Sequence, residues 1–175
     1  MADSSVRGAT PSDASAIAPL LIAYWLMGPS AAVTQQVAAL DPEELADSWR
    51  KGIAAPLSPK HLTLVALDGQ TVVGFLASTP IADSTDAEIV ELVVASGHRR
   101  RGHGSRLLMA WADLAHESGA TGGTVWITES DTLARAFYEP AGWSPDGISR
   151  TLDLLGDGQA VLRQNRLVTA LEGRP

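Results

Sequence analysis

The stretch Glu88-Ile-Val-Glu91-Leu-Val-Val94-Ala-Ser-Gly-His-Arg99-Arg100-Arg101-Gly102-His103-Gly104-Ser105 decides the fold. It opens with a run of strand formers, passes through a basic turn and enters a helix on Gly102-His103-Gly104. The first N–H groups of a helix lack intrahelical acceptors and lie at the positive end of its dipole. Glycines let an anion approach the backbone, and Arg99, Arg100, Arg101 and Arg106 surround the turn with positive charge. The pattern reads as a phosphate site; the bland alternative is a solvated basic loop before a helix. A P-loop would require Gly-Lys-Ser/Thr at the helix start, which is absent. A dinucleotide fingerprint would require a third glycine where Leu107 stands.

Working outward, His61 to Leu67 and Thr71 to Ala77 are strand-like runs joined by the hairpin signal Asp68-Gly69-Gln70. With Glu88 to Val94 they form an antiparallel meander. Gly102 to Glu117 reads as a helix with Leu107, Leu108, Trp111, Leu114 and Ala115 on one face. Thr124 to Thr128 is a further strand, and strand–helix–strand in this order implies a parallel pair. A second helix follows over Asp131 to Glu139, which Pro140 is expected to cut short. Two tail strands lie near Ile148 to Leu155 and Val161 to Val168, joined by Gly156-Asp157-Gly158. At the other end, a strand at Val6 to Thr10 leads into a helix capped by Ser12 or Asp13, running to about Met27 and stopping at Gly28-Pro29. Asp41-Pro42-Glu43-Glu44 starts another helix, whose Leu45, Trp49 and Ile53 share a face. Residues 1–175 thus read as a single α/β domain: a mixed, mostly antiparallel sheet flanked by helices.

Composition bounds the function. The 175 residues carry a net charge of −7, which argues against a nucleic-acid partner. There are no cysteines, and His61, His98, His103 and His116 lack metal-motif spacing, so no metal is expected. The N-terminus has no basic segment followed by an apolar core, and the apolar stretch Ile17 to Met27 is about half the ~20 residues a membrane span needs. A cytoplasmic protein without a membrane partner is expected, and a homodimer is left open.

Arg99-x-x-Gly102-x-Gly104 after Leu92-x-Val94 resembles the acyl-CoA pyrophosphate motif of the GNAT superfamily of N-acetyltransferases. Downstream, Asp131-x-x-Ala134-x-x-Phe137-Tyr138-Glu139-x-x-Gly142-Trp143 resembles that family's second signature, with Asp131 for the usual asparagine and Trp143 for phenylalanine. The resemblance covers roughly Arg7 to Trp143 and is strong in its second half. It implies a GNAT-like fold and transfer of an acetyl group from acetyl-CoA to a primary amine of a small molecule or peptide by direct attack. A longer acyl donor and a non-catalytic acyl-CoA sensor are the alternatives.

Carried over residue by residue, the backbone of Leu92, Val93 and Val94 would pair with the pantetheine arm. Arg99, Arg100, Arg101, Gly102, His103, Gly104 and Ser105 would hold the pyrophosphate, and Asp131 joins the cofactor contacts. Tyr138 would be the general acid for the departing thiolate; the rival reading makes it a packing residue. The base is open among Glu88, Glu91 and a chain of waters. Ala87-Glu88-Ile89-Val90 resembles the histone-acetylating branch and favours Glu88. Odd separation puts Glu88 and Glu91 on opposite faces of a strand unless a bulge intervenes. Setting aside the four arginines of the turn leaves −11 on the rest of the chain, which either attracts a cationic acceptor or merely maintains solubility.

Overall fold

The computed structural model describes residues 4–28, 31–156, 158 and 160–171, with 31–33 described by backbone alone. Pro29 and Asp157, assigned above to a helix stop and a turn, lie outside the described residues. Seven strands form one sheet in the order β1-β2-β3-β4-β5-β7-β6. They are β1 (Ser4–Gly8), β2 (Leu62–Asp68), β3 (Thr71–Pro80), β4 (Asp86–Val94), β5 (Gly122–Thr128), β6 (Ser144–Asp153) and β7 (Val161–Ala170). Every neighbouring pair is antiparallel except β4 and β5, which are parallel as the crossover reading requires. The β2–β3 hairpin turns at Gly69, whose φ of +62° suits a residue without Cβ.

Helices lie on both faces. On one, α4 (His103–Glu117) packs over β1 to β4. Its buried stripe is His103, Leu107, Leu108, Trp111 and Ala115. Leu114, expected on that stripe, falls at its margin and is 37% exposed. On the other face α1 (Ala14–Trp25) covers β3 and β4, and α3 (Pro42–Ala54) packs against α1. Ile17, Leu21, Val65, Phe75, Ala77 and Val93 form the core there. Asp13 fixes the entry to α1: it is buried, accepts the Thr10 N–H at 2.7 Å and is paired with Arg7 at 2.7 Å. That guanidinium holds the Asp13 carboxyl down at about 2. A short 3-10 turn at Pro11–Asp13 precedes the helix, so α1 begins at Ala14 and ends at Trp25 rather than at Met27. Asp41 caps α3 as expected, accepting the Glu43 N–H at 2.9 Å.

Two differences have simple causes. A helix not anticipated, α2 (Ala31–Ala38), is made of Ala, Val, Gln and Thr, and such a run shows little apolar period. Strand β6 starts at Ser144, before the expected Ile148, across a break in register between Pro145 and Ser149. Pro145 and Gly147 disguise the strand in the sequence and are tolerated because β6 is an edge strand.

Candidate active site

The site is made by two strands that part. Strands β4 and β5 pair only from Asp86↔Gly122 to Ile89↔Val125. Beyond that point β5 continues along β7 to Thr128, while β4 stays with β3 to Val94. From Val90 onward the main-chain groups of β4 that face β5 have no ladder partner. Unpaired N–H and C=O groups along an open strand edge are what an extended amide-bearing ligand needs.

A bulge sits at the point of parting. In the β3–β4 ladder Ala77 faces Glu91 and Ser78 faces Ile89, so Val90 is the extra residue. The bulge resets the alternation of side chains. Ala87 and Ile89 belong to the core beneath α4, whereas Val93 belongs to the core beneath α1. Glu88 and Glu91, three apart, therefore share the α1 face. The exception allowed for in the sequence reading is the arrangement found.

Their environments differ. Glu88 is half-buried, and its Oε2 accepts the Trp126 indole N–H at 3.1 Å. Glu91 lies beside α1, and burial raises its pKa from 4.5 to about 7, with the Trp25 indole pulling in the opposite direction. Its charge is felt by Tyr24 and by Tyr138. Tyr138 ends α5 (Thr132–Tyr138) and is 5% exposed, 5.0 Å from the Phe137 ring and 5.3 Å from Trp143. Burial pushes its phenol pKa upward, so it stays protonated at neutral pH. Tyr24 is shifted the same way, by burial and then by Glu91. The sequence reading missed Tyr24, Trp25 and Trp126. Their only signal was aromatic residues at the end of an apolar helix and in a strand, a common packing pattern.

At its far end β4 runs into the basic turn. The Arg99 Nε–H donates to the Val94 carbonyl at 3.1 Å, folding the turn back on the strand. Arg100 (φ +61°) and Gly102 (φ +84°) both adopt the left-handed region. For arginine that costs on the order of 1–2 kcal/mol, and such strain concentrates at functional sites. Gly102 caps α4, and Arg106 donates to the Arg101 carbonyl at 3.2 Å. The Arg99, Arg100, Arg101 and Ser105 side chains are exposed. His103 is not: its side chain is 2% exposed and burial lowers its pKa, so only its main chain is available to a ligand. Leu92 and Val94 pack on the α4 core and Val93 on the α1 core, which leaves their backbones as the usable part.

Gly104 and Asp131 have local structural work. A Cβ on Gly104 would lie 3.2 Å from the Phe137 ring, so the first turn of α4 rests on α5. Asp131 Oδ1 accepts the Ala134 N–H at 2.8 Å and caps α5. A cap requires only an acceptor oxygen, which aspartate supplies as well as asparagine. Helix α5 ends at Tyr138, and a 3-10 turn carries Pro140, as the proline predicted. Among the described residues no group of three or more His, Asp or Glu is placed to hold a metal, and no helix is long and apolar enough to cross a membrane.

Known proteins share this architecture. An N-acetyltransferase from Thermoplasma acidophilum solved with coenzyme A superposes with a TM-score of 0.73 at 15% identity, covering 96% of this chain and 99% of that one. A putative acetyltransferase from Salmonella typhimurium solved with acetyl-CoA gives 0.74 at 14% identity, covering 99% and 96%. A GCN5-related N-acetyltransferase from Kribbella flavida gives 0.71 at 23% identity, covering 96% and 98%. No curated protein matches the chain in sequence. The acetyltransferase (GNAT) family profile matches residues 28–143, well over half of the chain and both signatures within it, and the chain belongs to that family.

Proposed function

We propose that this protein moves an acetyl group from acetyl-CoA to an amine by direct attack within one ternary complex. The observation that carries the reading is the parting of β4 from β5 at the Val90 bulge, open toward a left-handed basic turn at one end and toward two carboxylates on one face. Acetyl-CoA would supply an activated acyl thioester. The unpaired main chain of β4 from Val90 to Val94 suits the amide-bearing pantetheine arm. The backbone amides and arginines of 99–105 suit its pyrophosphate, with Ser105 on the exposed side of the first turn of α4.

An attacking amine must lose its proton. A base is most effective when its pKa lies near the working pH, and Glu91 at about 7 meets that condition. Glu88, on the same face and held by Trp126, suits the reception of the ammonium before it is deprotonated. Tyr138, protonated and water-poor, suits the delivery of a proton to the departing sulfur. Tyr138 thus already carries the proton that its step requires.

Ser105→Glu tests the cofactor half. It adds negative charge at the helix start without meeting the Phe137 ring, unlike a substitution at Gly104. Calorimetric affinity for acetyl-CoA should fall at least ~10-fold while the circular dichroism spectrum is kept. Unchanged affinity would show that the phosphates bind elsewhere.

A further inference from the structure

Beyond β4 the α1 face of the sheet carries a row of polar side chains from four strands. Glu88 of β4 touches Trp126 of β5 through the indole N–H. The Arg150 guanidinium of β6 lies over the same indole, with Cζ 4.2 Å from the ring centroid. Its Nε–H donates to Gln164 Oε1 of β7 at 2.7 Å. One contact faces the ring and the other grips the side chain near its head, so the guanidinium is fixed in plane and position. Its terminal N–H groups make no hydrogen bond or ion pair with another described residue, and the residue is partly buried.

The neighbouring arginine is a useful contrast. Arg166 also approaches Trp126, at 5.9 Å, but it is neutralised by Asp146 at 2.6 Å. Two arginines therefore meet one indole, and among the described residues only Arg166 of the two has a carboxylate as partner. A stacked guanidinium with its outer fork unoccupied is a receptor for a planar anion, because two parallel N–H donors match the two oxygens of a carboxylate. Stacking on an indole also lowers the cost of holding the cation away from bulk water.

We propose that Arg150, seated on Trp126 and anchored by Gln164, receives a carboxylate of the amine acceptor, whose ammonium is received by Glu88. This rests on the acetyltransfer reading above and narrows its substrate class. Glu88 and Arg150 touch the same indole, so the two charged groups of the acceptor lie close together. The class that fits is a small zwitterionic amine such as a free amino acid. An internal lysine or the N-terminus of a peptide presents its amine without a nearby carboxylate of this kind. The chain's overall negative charge favours cations at long range, but salt screens that field within ~10 Å at 0.1 M, and contact geometry decides recognition.

The test measures CoA release for the twenty amino acids, their α-carboxamides, the corresponding decarboxylated amines and short peptides. The best acceptor should be a free amino acid, favoured over its carboxamide by about tenfold or more in kcat/KM, the range expected of one charge-assisted contact. Arg150→Gln should abolish that preference. Arg163→Gln removes the same charge from β7 at a residue paired with Glu129 and should retain it. A carboxamide, amine or peptide as best acceptor would overturn the proposal, and so would a preference that survives Arg150→Gln. If nothing on the panel is acetylated while calorimetry shows acetyl-CoA bound, the carboxylate site is refuted and the cofactor reading stands. If acetyl-CoA does not bind, the acetyltransfer reading itself fails.

Discussion

Replacing Glu91 with glutamine removes one ionisation and should leave a signature in both stability and catalysis. Burial raises the Glu91 pKa from 4.5 to about 7, so ionising it in the folded protein is harder by on the order of 3 kcal/mol than in the unfolded chain. The sign follows from linkage. A raised folded pKa contributes stability that is fully present below pH 4.5 and is lost as pH rises through about 7. Wild type should therefore lose stability relative to Glu91→Gln across that window, and the difference should be flat above it. For a chain of 175 residues this corresponds to roughly 6–12 °C in thermal midpoint. Urea titrations followed by circular dichroism at pH 4, 5, 6, 7 and 8 would resolve it. Over the same window the wild-type kcat/KM should rise with an apparent pKa near 7, and the variant should lose that limb. Parallel stability curves for the two proteins would refute the burial of Glu91, and with it the face assigned by the bulge. A retained pH limb with altered stability would remove Glu91 as base and return the role to Glu88 or to water.

Tyr138→Phe keeps the ring contacts with Phe137 and Trp143 and removes the hydroxyl, so turnover should fall ~10²–10⁴-fold with the thermal midpoint held; equal turnover where chemistry limits the rate would make Tyr138 a packing residue. Gly123→Ala would bring a Cβ to 2.6 Å from the Trp111 ring and 2.9 Å from Trp143, so urea unfolding should show a loss of about 1–3 kcal/mol; parental stability would mean that this contact relaxes without cost.

The meander, the crossover and the basic turn were legible because each rests on a local rule: a Gly turn, a change from strand to helix period, a glycine cap. The carboxylate pair was not. A bulge depends on how β3 pairs with β4, and nothing in Glu88 to Val94 marks Val90 as the unpaired residue. The burial of the His103 side chain was not legible either. A histidine in an arginine-rich turn suggests phosphate contact, but the first turn of α4 aims its side chain at the core. Arg150, Gln164 and Trp126 come from three strands, and neither Pro145 nor Gly147 lets the sequence show that β6 reaches that face. Side chains assembled across strands leave no local spacing to read.

The specificity of the paired signatures has a physical basis in one chain of contacts. Gly104, from the first signature, has no Cβ, and that gap admits the Phe137 ring of the second at 3.2 Å from where a Cβ would stand. Phe137 touches Tyr138, Tyr138 touches Trp143, and Trp143 lies 5.8 Å from Trp111 on α4. Both tryptophans close over Gly123, on the strand that parts from β4. A tryptophan in place of phenylalanine at 143 is accommodated because position 123 carries no side chain. The start of α4, where the phosphates are proposed to bind, and Tyr138, proposed to protonate the sulfur, are thus linked to each other by packing. Either signature without the other would leave one of these two groups unsupported. A bulky residue at 104 should consequently displace Tyr138 as well as Phe137, so loss of activity in such a variant would report on α5 as much as on phosphate binding. Ser105→Glu separates the two effects, because it changes charge at the helix start and leaves the contact between Gly104 and Phe137 in place.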